Sequence, residues 1–333
     1  MKTKIQQQRC IRYLVFFTVT LLGIYVRYLG RDFISGDFKN CLYTWYLEIT
    51  GAGPGIEALQ ANTVDYPIPY AFLVWLLAKL PFPFLYSLKT LHGALDFVMA
   101  MIAGKVVQHF KPHNPDSFYW GYCITLLIPN IFINSCYWGQ CDGLYSTFML
   151  AAVLCWLKEK YPLMMIMVGI ALSYKLQAIF ILPFLLIVYW FQRRFSIFQF
   201  MLIPVTIFIM NIPALLAGYS PDIILTKYLG LTGGYPWLYY FYPNLWIFFQ
   251  GRPYYYFSSG AILLTVFALL LFVVLMVQKK VTLSQENALP ILLWTAYTCV
   301  FFLPSMHERY GYFAELVAVV ITVIHLRSFC LPL

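Results

Sequence analysis

Three short polar motifs stand at the ends of long apolar stretches: Arg31-Asp32-Phe33-Ile34-Ser35-Gly36-Asp37-Phe38, Tyr137-Trp138-Gly139-Gln140-Cys141-Asp142-Gly143 and Met306-His307-Glu308-Arg309-Tyr310. Together they offer carboxylates, a carboxamide and a His/Arg pair. A carboxylate held against apolar surface has a raised proton affinity and can take a proton from a hydroxyl. An Arg fork and a His can donate hydrogen bonds to phosphate oxygens. The set therefore suits a reaction in which a hydroxyl is deprotonated and a phosphate departs. Charged groups near a bilayer core are costly and are rarely kept without a use.

Each candidate has a structural alternative. Asp37, behind Ser35-Gly36, is the candidate base; a solvated loop aspartate is the alternative, and Asp32 beside Arg31 suits an ion pair. Asp142 falls where a helix is predicted to begin, so capping could account for it. Trp138 and Gln140 beside it complete an indole, amide and carboxylate mixture suited to sugar or acceptor hydroxyls. Lys175 and Gln177 fall at the tip of a predicted helical hairpin, where a helix N-terminus attracts phosphate; snorkelling to the interface is the alternative for the lysine. His307 and Arg309 precede the last predicted helix, and Glu308 between them could orient either one. A purely structural His-Glu-Arg network is the other option. Asp96 and Glu315 lie inside apolar stretches and could pair with Lys89 or Arg309.

The elements that must carry these residues are apolar helices. The chain has 333 residues, 62% hydrophobic and 11% charged, with a mean hydropathy of +0.74. Soluble domains are about 25% charged, so the composition excludes an ordinary soluble globule and indicates an all-α polytopic membrane protein. Predicted spans are about 12–30, 88–110, 118–136, 143–157, 161–174, 176–192, 197–217, 259–278, 288–304 and 311–328, about ten helices. The first follows Lys2, Lys4, Arg9 and Arg12, exceeds the apolar length of a cleavable signal, and reads as a retained helix. With both termini inside, 13 of the 22 basic residues fall on the inner side, Arg327 among them. The net charge of +9 is thus explained by loop lysines and arginines, not by nucleic acid.

Basic pairs flank 161–192 at both ends, which favours a hairpin with Lys175 at its outer tip over one long span. All three motifs then share the outer side. A long first outer loop, about 31–87, contains the turn Gly51-Ala-Gly-Pro-Gly55 and the apolar run Tyr70–Leu80, too short to cross and read as an interfacial helix. A second outer loop, about 218–258, is dense in aromatics and reads either as an interfacial belt or as a lid over substrate. The whole chain, 1–333, is read as one membrane-embedded domain. Eight cysteines include no C-x-x-C pair and no zinc spacing; Cys136 and Cys141 flank Trp138 and could pair. No P-loop, G-x-S-x-G or H-E-x-x-H is present, and no metal site or cofactor is indicated, although two outer carboxylates could hold a cation.

In order along the chain, Asp37 after Ser-Gly, Tyr66-Pro67-Ile68-Pro69-Tyr70, Trp138-Gly-Gln-Cys-Asp142, Tyr174-Lys175-Leu-Gln177 and His307-Glu-Arg-Tyr310 resemble the C-fold (GT-C) membrane glycosyltransferases. The likeness is closest to bacterial proteins related to the second mannosyltransferase of the GPI-anchor pathway, and more distant to dolichol-dependent glucosyltransferases. Gly230 to Trp246, with Gly234-Tyr235-Pro236 and Pro243-Asn244-Leu-Trp246, is similar to the long outer loop of that group. The resemblance implies a polyprenyl-phosphate sugar donor, a lipid-linked or glycan acceptor, transfer with inversion outside the cytoplasm, and a bacterial cell membrane as the setting. It also implies Asp37 as base, with His307, Arg309 and Lys175 on the phosphate. Two departures are the short chain and Leu176, where the group often has proline. The rival expectation is a transporter or flippase of lipid-linked sugars; an acyl- or phosphoryl-transferase at the same face is a third. Transporters usually carry internal repeats and polar groups at mid-membrane, and this chain shows no repeat.

Overall fold

The computed structural model describes residues 2–61, 64–230 and 236–325, with side chains from residue 6 onward. Gly234, Tyr235 and Arg327 lie outside the described residues, as do the side chains of Lys2 and Lys4. Among the described residues the regular structure is helical, apart from one isolated bridge between Tyr239 and Met306. The α-helices are α1 (Lys2–Leu29), α2 (Tyr43–Gly51), α3 (Ile68–Ala78), α4 (Phe84–Phe110), α5 (Ser117–Leu126), α6 (Pro129–Phe132), α7 (Asp142–Leu157) and α8 (Tyr161–Tyr174). They continue with α9 (Leu182–Gln192), α10 (Leu202–Met210), α11 (Ile212–Leu216), α12 (Pro221–Gly230), α13 (Tyr254–Gln278), α14 (Gln285–Phe302) and α15 (Tyr312–His325).

Among the described residues each predicted span is largely helical. Four helical stretches, Gln6–Leu29, Phe84–Phe110, Ile197–Leu216 and Tyr254–Gln278, are long and apolar enough to cross a membrane. They mark the chain as an integral membrane protein. The predicted span 118–136 is broken: α5 ends at Leu126, Pro129 opens α6, and Ile133–Trp138 winds as a π-helical turn. Proline lacks the N–H that would continue α5. Pro213, in the first turn of α11, likewise accompanies a break at Asn211.

The hairpin predicted from charge bias is present. Lys175 is extended (φ −153°, ψ 131°) between α8 and the 3-10 turn Leu176–Ile181 that leads into α9. The far ends meet again, with the Tyr161 and Phe195 rings stacked at 5.0 Å and Arg194 paired with Glu159.

α4 is the spine of the bundle and packs closely on α5 and α7. Its approach to α5 requires two glycines. A Cβ on Gly121 would sit 2.8 Å from the Gly104 Cα, and one on Gly104 would sit 2.7 Å from the Phe118 carbonyl. Small residues permit such backbone contact in membrane bundles. Gly121→Val is therefore expected to cost about 1–3 kcal/mol of stability, the usual penalty for overpacking. Gly260→Ala on α13, with nothing within 4 Å of the new methyl, is expected to cost nothing measurable. Thermal unfolding of both variants in the same lipid checks this.

α1 is attached by apolar packing of Phe16 and Val19 and by a set of polar contacts. Arg27 donates from Nε to Asp96 Oδ2 at 2.9 Å, and Lys89 Nζ donates to the Gly30 carbonyl at 2.7 Å and to that of Phe33. The expected pairing of Asp96 with Lys89 or Arg309 is thus corrected. Lys89 instead donates to carbonyls just past the end of α1. Glu315 is exposed and pairs with Asn130.

The stretch 31–87, predicted as the first outer loop, is folded, and α3 buries one face within it. Tyr70, Ala71, Val74 and Leu77 are buried in a cluster that includes Trp45 and Ile49 of α2 and Ala217 beyond α11. A helix apolar all round is stable only when covered. The aromatic loop docks on the segment before α15. Tyr242 N donates to the Met306 carbonyl at 3.1 Å, Ser305 N to Leu238 at 3.0 Å, and Trp246 Nε1 to Phe302 at 2.8 Å. Cys136 and Cys141 are buried and unpaired, so the disulfide that their spacing allowed is not formed.

Candidate active site

The first motif is tied to the second through Ser35. Its hydroxyl donates to the Trp138 carbonyl at 2.7 Å and accepts from the Phe38 N–H at 3.0 Å. This sets Asp37, on the turn entering the π-helical stretch Phe38–Leu42, opposite the chain that follows Trp138. Gly139 is left-handed there (φ +75°), a conformation that glycine adopts without strain. The reversal carries Gln140 and Asp142 back toward Asp37.

Gln140 is the hinge of the site. Its Nε2 donates to Asp37 Oδ2 at 2.6 Å, while its Oε1 accepts from Arg309 Nη1 at 2.8 Å and from the Tyr66 hydroxyl at 3.2 Å. A carboxamide offers a donor at one end and an acceptor at the other, which matches a carboxylate on one side and a guanidinium on the other. Arg309 Nη2 lies 3.3 Å from Asp37 Oδ2, and Nη1 lies 3.5 Å from Asp142 Oδ2. One planar fork thus spans both carboxylates.

Asp142 is fully buried, as is Lys175, whose Nζ donates to Asp142 Oδ1; Asn134 Nδ2 donates to Oδ2 at 2.9 Å. Asp142 is the first residue of α7, after the N-cap Cys141, and its carboxylate is engaged by the tertiary partners Lys175, Asn134 and Arg309. Burial pushes its carboxyl up, but Lys175 and Arg309 outweigh that and hold it below the ordinary range. Burial would lower the Lys175 ammonium, and Asp142 more than reverses the effect. Both groups therefore stay charged at neutral pH. Lys175 also lies 5.3–5.6 Å from the ring centres of Tyr66, Tyr145 and Tyr310, a cation–π cage.

A cleft opens beside this cluster, lined by Asp65, Tyr66, Lys175, Gln177, His307 and Arg309 among others. His307 Nδ1 pairs with Glu308, whose other oxygen lies 3.5 Å from Arg309 Nε, so Glu308 contacts both neighbours. The Tyr240 ring of the aromatic loop meets the His307 ring edge-on at 5.0 Å. Asp37, Gln140, Asp142, Lys175, Gln177, His307, Glu308 and Arg309 are thus brought together. Trp138 is not: its indole is 41% exposed, and it contributes its carbonyl to Ser35.

Sequence reasoning did not single out Asn134, which precedes Asp142 by eight residues inside a predicted span. Tyr66 was visible only as part of a motif. Burial keeps its hydroxyl protonated well above the ordinary range, so it serves as a donor. Arg309→Lys keeps the charge but loses the fork that spans Asp37, Gln140 and Asp142. Turnover is expected to fall by about 10²-fold or more, since a small misplacement can cost that much; steady-state kinetics with the protein's own donor reads it.

The model of glycosyltransferase family 87 matches residues 64–245, more than half of the chain. The match takes in Tyr66, Gln140, Asp142, Lys175 and Gln177. Neither a curated protein nor a solved structure matches the chain. A match of this extent places the chain: it belongs to glycosyltransferase family 87.

Proposed function

We propose that the protein transfers a hexose, mannose or a close relative, from a polyprenyl-phosphate donor to a hydroxyl of a lipid-linked or cell-surface glycan acceptor. Transfer inverts the anomeric carbon and takes place on the extracytoplasmic face of a bacterial membrane crossed about ten times. The carrying observation is the cleft: a half-exposed carboxylate, Asp37, sits 3.3 Å from an arginine that lines it with Lys175 and His307. In this reading Asp37 accepts the proton of the acceptor hydroxyl as that oxygen attacks the anomeric carbon. The bond to the phosphate oxygen breaks with its electron pair, and His307, Arg309 and Lys175 stabilise the departing anion. Fixed cations and donors aimed at a developing charge in a dry site are worth several kcal/mol. Gln140, Asp142, Gln177 and Glu308 position the sugar or the acceptor, whereas the exposed indole of Trp138 takes no part in this reading. Arg309 enters this scheme already engaged by two carboxylates, so it both orients the base and faces the phosphate.

The test is purified protein in lipid with a panel of polyprenyl-phosphate sugars and glycan acceptors, followed by release of polyprenyl phosphate. Release that depends on both donor and acceptor supports the assignment. A sugar nucleotide serving as donor in place of every polyprenyl-phosphate sugar would sink it.

A further inference from the structure

Behind the site lies a second buried charge pair that the proposed chemistry does not use. Asp96 on α4 and Ser135 are fully buried, and Arg27 on α1 is 6% exposed. Asp96 Oδ2 accepts from Arg27 Nε at 2.9 Å, lies 2.9 Å from Nη2, and accepts from the Ser135 hydroxyl. Arg27 is in turn held by the carbonyls of Gly23 at 3.0 Å and Leu126 at 3.2 Å, which joins α1, α4 and the end of α5 at one guanidinium.

Ser135 and its neighbour Asn134 belong to the π-helical turn Ile133–Trp138. The two face different carboxylates: Ser135 reaches Asp96, and Asn134 donates to Asp142 Oδ2 at 2.9 Å. The turn ends directly at Gly139, and the Asn134 carbonyl accepts from the Gln140 N–H at 2.9 Å. The other Asp96 oxygen borders the far side of the same segment. A Cβ on Gly143 would lie 3.1 Å from Asp96 Oδ1 and 3.4 Å from the Tyr312 hydroxyl. Asp96 therefore touches the chain just before Gly139 and just after Asp142.

Isolated π turns are rare, and they recur at functional sites. An ion pair buried among apolar helices is weak as a source of stability, because desolvation offsets its attraction. Its more general use is to fix one arrangement over others. We propose that Arg27, Asp96 and Ser135 are positioning residues: they hold the 133–138 turn so that Asn134, Gln140 and Asp142 meet Asp37 and Arg309 in register. This rests on the site described under Proposed function, and the test separates the two.

Cys141 is the reporter. It lies between Gln140 and Asp142, is 1% exposed, and burial pushes its thiol up to about 11, so it resists alkylation while the segment is closed. Ser135→Ala removes one hydroxyl and leaves the Arg27–Asp96 pair in place. In the full-length protein in nanodiscs, N-ethylmaleimide labelling of Cys141, read by peptide mass spectrometry, is expected to rise about tenfold in this variant. Cys123, buried on α5, is expected to label as in wild type. Unchanged Cys141 labelling, or an equal rise at Cys123 that signals general loosening, overturns the proposal. With a donor in hand, Ser135→Ala is also expected to lower kcat with little change in donor KM. That loss should vanish in an Asn134→Ala background, because the effect runs through Asn134. A loss undiminished in that background overturns it as well. Wild-type turnover by Asp37→Asn would instead sink the site assignment and leave the labelling result standing.

Discussion

Asp37→Asn is expected to leave a folded protein that has lost turnover by about 10²–10⁴-fold, the range for removing a general base. The expectation follows from what the amide keeps and what it loses. An asparagine oxygen in place of Asp37 Oδ2 still accepts from Gln140 Nε2, which now lies 2.6 Å away, and from Arg309 Nη2 at 3.3 Å. Arg309 also retains Asp142 and the Gln140 carbonyl, so no buried charge is abandoned. Asp37 is 32% exposed on its side chain, so the lost charge is solvent-screened and the folding penalty small. What the amide cannot do is take a proton from an attacking hydroxyl. Polyprenyl-phosphate release and thermal unfolding, measured on one preparation, separate the two effects. Turnover at the wild-type level would remove Asp37 from the chemistry, and the parallel loss of fold and activity would make it a structural residue instead.

The parts of this site that were legible in the sequence are those set by chain topology. Three motifs fall at the same ends of alternate apolar stretches, and basic residues flanking 161–192 indicate that Lys175 returns to that end. Both expectations follow from hydropathy and charge bias; the structure places Lys175, His307 and Arg309 on one cleft, with Asp37, Gln140 and Asp142 held against Arg309 beside it. The pairings were not legible. Arg309 meets Gln140 across 169 positions and Asp142 across 167, and a lone arginine in a sequence fits a phosphate as well as a carboxylate. Asp96 illustrates the same limit: three cations stand at plausible depths, and only packing selects Arg27 over Lys89 and Arg309. The π turn was hidden for a different reason. Residues 118–136 read as one continuous apolar helix, and Pro129 gives a break but not the manner in which the chain rewinds. How α3 is covered was not legible, because an apolar run of eleven residues satisfies a membrane interface and a protein interior equally well; one of its faces packs on the folded loop.

The largest effect on stability is expected at Lys175. Lys175→Met strands Asp142, a carboxylate with no exposure, leaving it Asn134 at 2.9 Å and Arg309 at 3.5 Å. Removing one partner of a buried pair costs roughly 3–5 kcal/mol. For a chain of this length that corresponds to a fall of about 5 °C in Tm. The sign of the pH dependence follows from linkage. In wild type the Asp142 carboxyl is held low, against the upward push of burial, by Lys175 and Arg309, so its contribution is present above the ordinary carboxylate range and lost only as pH falls through its folded value. In Lys175→Met the upward push of burial loses its chief opponent. The deficit relative to wild type should therefore narrow as pH is lowered from about 8 to 5, as protonation relieves the stranded charge. Adding Asp142→Asn to Lys175→Met removes the second charge and should restore most of the lost Tm, since a buried pair contributes little beyond its own desolvation. Turnover should not return with it. Recovery of both Tm and activity in the double variant would reduce Asp142 and Lys175 to a structural pair, whereas recovery of Tm alone separates their part in holding the fold from their part in handling the sugar phosphate.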